Sequence, residues 1–262
     1  MDMGLQGQVV LITGGSKGIG LACAQAFAAE GARVAIASRD AAHLAAAAAR
    51  LHAAGHGVFT HAADLREAAQ ADALADAVEA ALGPVDVLVT SAGAALRTPV
   101  AELTAAHWAA AMQAKYFTGI HAMQALLPRM AARGRGAVVN VVGAGGKLAT
   151  PTHLPGGAAN AALMLASAGL AHAYGRQGVR VNVVNPGLVA TSRMQEGLAA
   201  QARASGQTVD AVLAQQRERL PLGRICEPEE VARVVLFLAS PQSSYVSGAV
   251  LTVDGALTPM VV

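Results

Sequence analysis

Aromatic residues are scarce: four Phe, three Tyr and one Trp make up 3% of the 262 residues. A chain of this length can still bury a large single core, but that core has to be built from Ala, Val and Leu. Cysteine is almost missing as well. Cys23 and Cys226 form no CxxC pair and no metal spacing, so a disulfide framework is excluded and reduced thiols in the cytoplasm are expected. Lysine occurs only at Lys17, Lys115 and Lys147, and the net charge is +2. No basic stripe interleaved with aromatics exists, which argues against nucleic acid. Hydrophobic residues reach 54%, yet no stretch reads as a membrane span. The most apolar run, from Ala158 to Tyr174, is interrupted by Asn160, Ser167, Gly169 and His172. The opening residues have no basic region and run straight into a strand pattern, so no signal peptide is expected. The histidines suggest no metal cluster: His52 and His56 have helical spacing, but Gly55 and Gly57 fall where the helix should end.

What is present is rhythm. Short β-branched runs at Val9–Thr13, Val34–Ser38, Val58–His61, Val85–Thr90, Ala137–Val142, Val179–Val184 and Val250–Val253 read as strands. Between them lie Ala-rich helical stretches near Ile19–Glu30, Ala41–Ala54, Arg66–Leu82, Ala105–Ala132, Ala158–Tyr174 and Glu229–Ala239. Repeated strand–helix alternation implies an α/β fold with a parallel sheet covered on both faces. Right-handed crossovers make it a doubly wound sheet of seven strands, one domain over residues 1–262. The more polar stretch Ser192–Leu220 falls outside the rhythm and reads as a helical insertion, with a lid as its natural role.

The segment Thr13-Gly14-Gly15-Ser16-Lys17-Gly18-Ile19-Gly20 follows the first strand and opens the first helix. Glycines there permit turn conformations closed to other residues and let backbone N–H groups approach a pyrophosphate. With this spacing the chain resembles the short-chain dehydrogenase/reductase family, a group of Rossmann-type nicotinamide-dinucleotide enzymes. The resemblance continues through Asp64-Leu65, Thr90-Ser91-Ala92-Gly93, Asn182-Val183-Val184-Asn185-Pro186-Gly187, Pro221-Leu222-Gly223-Arg224, Pro228-Glu229-Glu230-Val231 and Val253-Asp254-Gly255. It implies a cofactor site built from Gly14, Ser16, Lys17, Gly18, Ile19 and Gly20, with Asp64 and Leu65 at the adenine. It also implies Ser91, Ala92, Gly93 and Asn160 along the cofactor, and Pro186, Gly187, Val189 and Thr191 near the nicotinamide.

At the end of the second strand an acid would bind the ribose hydroxyls of NAD, and an Arg favours the 2′-phosphate of NADP. Ser38 takes the acidic position and Arg39 follows it, with Lys17 as a second positive charge. NADP(H) is therefore expected over NAD(H). The alternative makes Asp40 the ribose acid, although Asp40 also suits the N-cap of the next helix.

The family's proton donor is the Tyr of a Tyr-x-x-x-Lys motif, supported by a Ser and an Asn. This chain has no Tyr-x-x-x-Lys. Registering on Arg180-Val181-Asn182 places the Tyr position at Gly156 and the Lys position at Asn160, the Ser position falls on Gly143, and Lys115 takes the Asn position. Lys115 and then His153 are the candidate replacements, with Tyr116 and Lys147 behind them. Three functions are compatible: an oxidoreductase acting on a small carbonyl or alcohol with a non-standard proton donor, a nucleotide-binding sensor or partner subunit without chemistry, and a non-redox lyase or isomerase using space left by Gly143 and Gly156. The family also implies a homo-oligomer, a tetramer with two-fold axes. Close helix approach would run through Ala110, Ala111, Ala114, Ala122, Ala162, Ala166 and Ala168, with the apolar run Leu257–Val262 covered.

Overall fold

Buried strands come first, because their composition dictates everything around them. In the computed structural model, which describes residues 2–93 and 96–260, β1 (Val9–Thr13) is buried at all five positions. Side chains alternate across a strand, so Val10 and Ile12 enter one apolar cluster and Val9 and Leu11 the other. The remaining strands are β2 (Arg33–Ser38), β3 (Val58–Ala62), β4 (Val87–Thr90), β5 (Gly136–Val141), β6 (Val179–Pro186) and β7 (Val250–Val253). All neighbours pair in parallel, in the order β3-β2-β1-β4-β5-β6-β7. The doubly wound seven-stranded sheet expected from the sequence is thus present. The chain reverses direction across the sheet between β1 and β4, the crevice where open α/β sheets bind ligands.

One face carries α1 (Gly18–Ala29), α2 (Ala41–Ala53) and α9 (Pro228–Ala239), which bury Leu21, Phe27, Leu51, Val231 and Val235. The other carries α3 (Ala68–Leu82), α5 (Thr118–Ala132) and α6 (Leu154–Tyr174), with Leu74, Met123, Leu126, Met130 and Leu163 inside. Phe27 is the one aromatic among the largest fully buried side chains, as the composition requires. A polar tie crosses this apolar layer. Thr90 Oγ1 donates to Asn140 Oδ1 at 2.6 Å, and Asn140 Nδ2 donates to Ser167 Oγ at 2.9 Å. Each buried polar group there has its partner, so the tie fixes β4, β5 and α6 without an unmade bond.

Three expectations need correction. The stretch Ala105–Ala132 is not one helix: α4 (Ala105–Ala111) passes into a wider π-helical turn, Met112–Phe117, before α5 begins. Ala-rich periodicity continues through the turn, which hides one inserted residue. Second, Pro151–Gln177 is long and apolar enough to cross a membrane, with mean hydropathy 1.3, against the reading that no stretch qualifies. Half of its most apolar window is buried inside the protein, because α6 packs on β6. Third, Ala111 and Ala122 are buried within the protomer and cannot line a contact with another copy. Leu165 on α6 is 78% exposed and Trp108 on α4 is 40% exposed. Of the run Leu257–Val262, Leu257 and Met260 are exposed and the last two residues lie outside the described residues.

The stretch Ser192–Leu220 contains two helices, α7 (Ser192–Ser205) and α8 (Val209–Glu218). They share a small cluster of their own, Leu198, Ala202 and Val212. Thr191 caps α7, its hydroxyl accepting from Met194 N, and Thr208 caps α8 in the same way.

Candidate active site

The chain leaves β1 through Gly14 at φ 70°. A Cβ there would lie 2.6 Å from the Ser91 carbonyl oxygen, so the ends of β1 and β4 meet only because residue 14 is glycine. Gly14 N donates to Ala37 O at 2.8 Å and Ser91 N to Thr13 O at 3.0 Å, which ties the turn to both neighbouring strands. Helix α1 then starts with Lys17 as N-cap, without a side-chain cap and without an acid in its first turn. Its first N–H groups are left for an outside anion, which is what a pyrophosphate supplies. Ser16, Gly18, Ile19 and Gly20 belong to this turn and the first residues of α1. These residues fit a dinucleotide.

The adenosine end lies past β2 and β3. Ser38 Oγ donates to Asp40 O at 3.2 Å and shapes the exit from β2. Asp40 Oδ1 accepts from His43 N at 3.0 Å as the N-cap of α2, and Asp40 Oδ2 lies 3.1 Å from His43 Nδ1. The cap holds the Asp40 carboxyl below its ordinary range. That leaves the capping role satisfied. Lys17 Nζ lies 2.8 Å from His43 Nε2, so Lys17 reaches across to the start of α2, on the side where Arg39 stands. Sequence reasoning missed His43, whose position three residues past the cap was the available signal. At the end of β3, both oxygens of Asp64 take the Arg66 Nε–H at 3.0 Å, and Arg66 holds the Asp64 carboxyl below its ordinary range. Leu65 is buried, and its carbonyl accepts from His121 Nδ1 at 2.9 Å.

The centre of the crevice holds the unusual group. Lys115 sits inside the π-turn and is partly buried. Its Nζ donates to Asn160 Oδ1 at 3.0 Å, and Asn160 Nδ2 donates to the Gly143 carbonyl at 3.0 Å. Burial in low dielectric, with repulsion from Arg193 second, lowers the Lys115 ammonium to about 8. Gly93, at φ 135°, lets the turn come close: a Cβ on it would stand 2.7 Å from Ala114 O. Gly156 is buried in α6. His153, at the start of α6, is pushed down to about 4 by burial first and then by the charges of Lys115, Arg97 and Arg193. Its Nδ1 is buried without a hydrogen-bond partner among the described residues. Of the weaker candidates, Lys147 Nζ donates to Thr252 Oγ1 at 3.0 Å, and Tyr116 stacks edge-on against Phe117.

Past β6, Pro186 ends the strand and Gly187 packs where a Cβ would meet Asp254 Cβ at 2.8 Å. Val189 bridges to Cys226, and Thr191 opens α7. Two residues on, Arg193 Nη1 donates to the Gly93 carbonyl at 2.9 Å. The structure therefore gathers Ser91, Ala92, Gly93, Lys115, Asn160 and the Pro186–Thr191 loop at the C-terminal ends of β4 to β6. Arg97 and Arg193 join them, and the sequence reading singled out neither.

A family model described as enoyl-(acyl carrier protein) reductase matches residues 14–258. The chain belongs to the short-chain dehydrogenase/reductase family. The D-threitol dehydrogenase of Mycolicibacterium smegmatis is 34% identical over 98% of this chain and 95% of its own length. The L-sorbose reductase of Gluconobacter frateurii, solved with NADPH and L-sorbose, superposes with a TM-score of 0.94 at 30% identity over the whole of both chains. A short-chain oxidoreductase of Pseudomonas aeruginosa PAO1, solved with NADPH and described as containing an atypical catalytic center, is 35% identical. It covers 97% of this chain and 98% of its own, with a TM-score of 0.87. In this chain the same crevice holds Lys115, Asn160 and the Gly143 carbonyl joined by hydrogen bonds.

The lowered ammonium gives a direct test. In competitive acetylation followed by mass spectrometry, the reactivity of Lys115 is expected to rise through pH of about 8. A midpoint two units higher would contradict the burial assigned to it.

Proposed function

We propose that the protein is an NADP(H)-dependent oxidoreductase that acts on a small carbonyl or alcohol, with Lys115 as its proton donor and acceptor. The observation that carries this reading is the Lys115 ammonium, partly buried and donating to Asn160 Oδ1, in a fold whose α1 N-terminus is uncapped. NADP(H), when bound, supplies or takes the hydride. The residues of the chain do the rest. The first turn of α1 receives the pyrophosphate, and Arg39 with Lys17 receives the 2′-phosphate as a planar fork and a point charge. Asn160 holds the ammonium in place, and an amine near 8 can both give and accept a proton near neutral pH. His153, near 4, is neutral there and carries no acidic proton to give, so Lys115 is the stronger acid candidate. The α7–α8 pair, with its separate apolar cluster, serves as the lid that excludes water from this centre. The atypical catalytic center described for the Pseudomonas oxidoreductase supports the reading that this fold accommodates a centre other than the usual one.

The exposed apolar side chains Leu165 and Trp108 support a homotetramer joined across α4 and α6. Light scattering at micromolar concentration is expected to give a mass of four chains, and Leu165→Glu a smaller one; a monomeric parent protein would contradict the assembly.

The cofactor choice is tested by Arg39→Ala. Charge-assisted hydrogen bonds contribute about 1.5–3 kcal/mol, so NADPH should weaken by about tenfold or more while NADH changes little. Equal losses would remove the assignment.

Lys115→Met should abolish turnover across a panel of ketones and leave NADPH affinity within a few-fold. His153→Phe should retain turnover. General acid–base help contributes about 10²–10⁴-fold. In the parent protein the sign of the pH dependence follows from which form of the amine works. Reduction needs the ammonium and falls as pH rises through about 8, whereas oxidation needs the free amine and rises there. Brisk ketone reduction by Lys115→Met would displace the site, and tight NADPH binding without any turnover would favour a sensor or partner role.

A further inference from the structure

Between Glu102 and Glu196 the chain contains no Asp and no Glu. That stretch builds the π-turn, α5, β5, the segment around Gly143, α6 and β6, and so forms the whole substrate side of the crevice. Cations are present there. Lys115 enters from the π-turn, Arg97 from the segment after β4 and Arg193 from the first turn of α7. The Arg97 segment is tied next to His153, because Thr98 N donates to Thr152 O at 3.0 Å. The charges of all three bear on His153, Arg193 also bears on Lys115, and no acidic side chain offsets them at either group. Among the described residues, no ion pair includes Lys115, Arg97 or Arg193. By contrast Arg66, Arg129, Arg133, Arg135 and Arg224 each have a carboxylate partner. Arg193 gives one N–H to Gly93 O and keeps the others of its fork.

Three positive side chains brought together from three segments repel one another, and in a crevice with low-dielectric walls they focus a field that concentrates anions. The cofactor has its own seats for negative charge: the uncapped start of α1 for the pyrophosphate and Arg39 with Lys17 for the 2′-phosphate. The cations around His153 lie on the other side of the switch point, past β4 and β6, and are left for the substrate.

We propose that the substrate is a small oxo or hydroxy compound bearing an anionic group, a carboxylate or phosphate, which Arg97 and Arg193 hold while its reacting oxygen reaches Lys115. This deepens the oxidoreductase reading and rests on it for the reacting oxygen alone. His153, neutral and with a buried, unpartnered Nδ1 among the described residues, stands among these cations without adding charge. The anion in turn favours the charged form of Lys115, the form that gives up a proton to a carbonyl oxygen.

The test uses matched pairs on the NADPH-saturated protein, by calorimetry for binding and by cofactor absorbance for turnover. Levulinate is paired with methyl levulinate, and dihydroxyacetone phosphate with dihydroxyacetone. The anionic member of at least one pair is expected to bind about tenfold or more tightly than its neutral twin, and the pair that responds tells carboxylate from phosphate. Arg97→Gln and Arg193→Gln should each remove most of that preference without loss of NADPH affinity. Arg97 is exposed in a loop, so its variant keeps the test open if Arg193→Gln fails to fold. Equal binding and turnover of neutral and anionic twins overturns the anion site while leaving the oxidoreductase reading in place. Selective anion binding without turnover does the reverse. Loss of NADPH affinity in both variants would assign these arginines to the cofactor and overturn the proposal.

Discussion

A parallel sheet with helices on both faces leaves its inner strands no wet side. Every side chain along β1 is buried, and so are the inner positions of β2, β4, β5 and β6. Polar chemistry can then sit only where strands end. At their N-terminal ends the chain uses polar groups for fastening: Asp86 accepts from Val9 N at 3.1 Å and pairs with Arg135, and Arg180 binds the carbonyls of Leu238, Ala239 and Ser240 at the close of α9. A cavity of about 550 Å³ opens there, lined by Asp86, Arg135 and Arg180, but Asp86 and Arg135 pair with each other and Arg180 is taken by the α9 carbonyls. At the C-terminal ends the opposite holds. The α1 N-terminus is uncapped, His153 Nδ1 has no partner among the described residues, and three cations stand without carboxylates. The same burial that stabilises the sheet makes one rim a structural seam and the other a place for ligands.

How much of this was legible in the sequence follows from what each signal measures. Strand runs such as Val9–Thr13 and Val250–Val253 matched to the residue: the first is buried at every position, and the second is a β-branched edge strand paired in parallel with β6. The Gly14–Gly20 turn was legible for the same reason: its spacing is a steric requirement, and the close approach of Gly14 to Ser91 bears it out. The π-turn was not. Periodicity counts apolar positions, and with Ala at 109, 110, 111 and 114 one inserted residue changes no count. Arg97 and Arg193 were missed because a single Arg in a polar stretch carries no local pattern, and only the fold brings them to His153. The chain of contacts from Lys17 through His43 to Asp40 was half visible, since Asp40 reads as a cap while the reach of a lysine across a turn is decided by geometry.

The residues at 115, 143 and 160 fit one another, and that bears on whether the centre proposed around Lys115 is a working one or a decayed one. Decay removes groups and leaves their former partners buried and unpaired, which costs about 1–3 kcal/mol for each. Here Lys115 donates to Asn160, and Asn160 donates to the Gly143 carbonyl. A Cβ at 143 would stand 3.3 Å from Asn160 Nδ2, so the side chain that the family has there would crowd the amide that Lys115 needs. Gly143 therefore does not leave an empty pocket: the Asn160 amide lies against it, which weakens the lyase or isomerase alternative built on open space. Holding an ammonium in a partly buried site is unfavourable in itself, as its fall to about 8 records. A fold that had lost its chemistry would gain stability from an apolar residue at 115. Keeping the lysine, with an amide to hold it and a glycine to admit the amide, fits the proton-donor role proposed for Lys115.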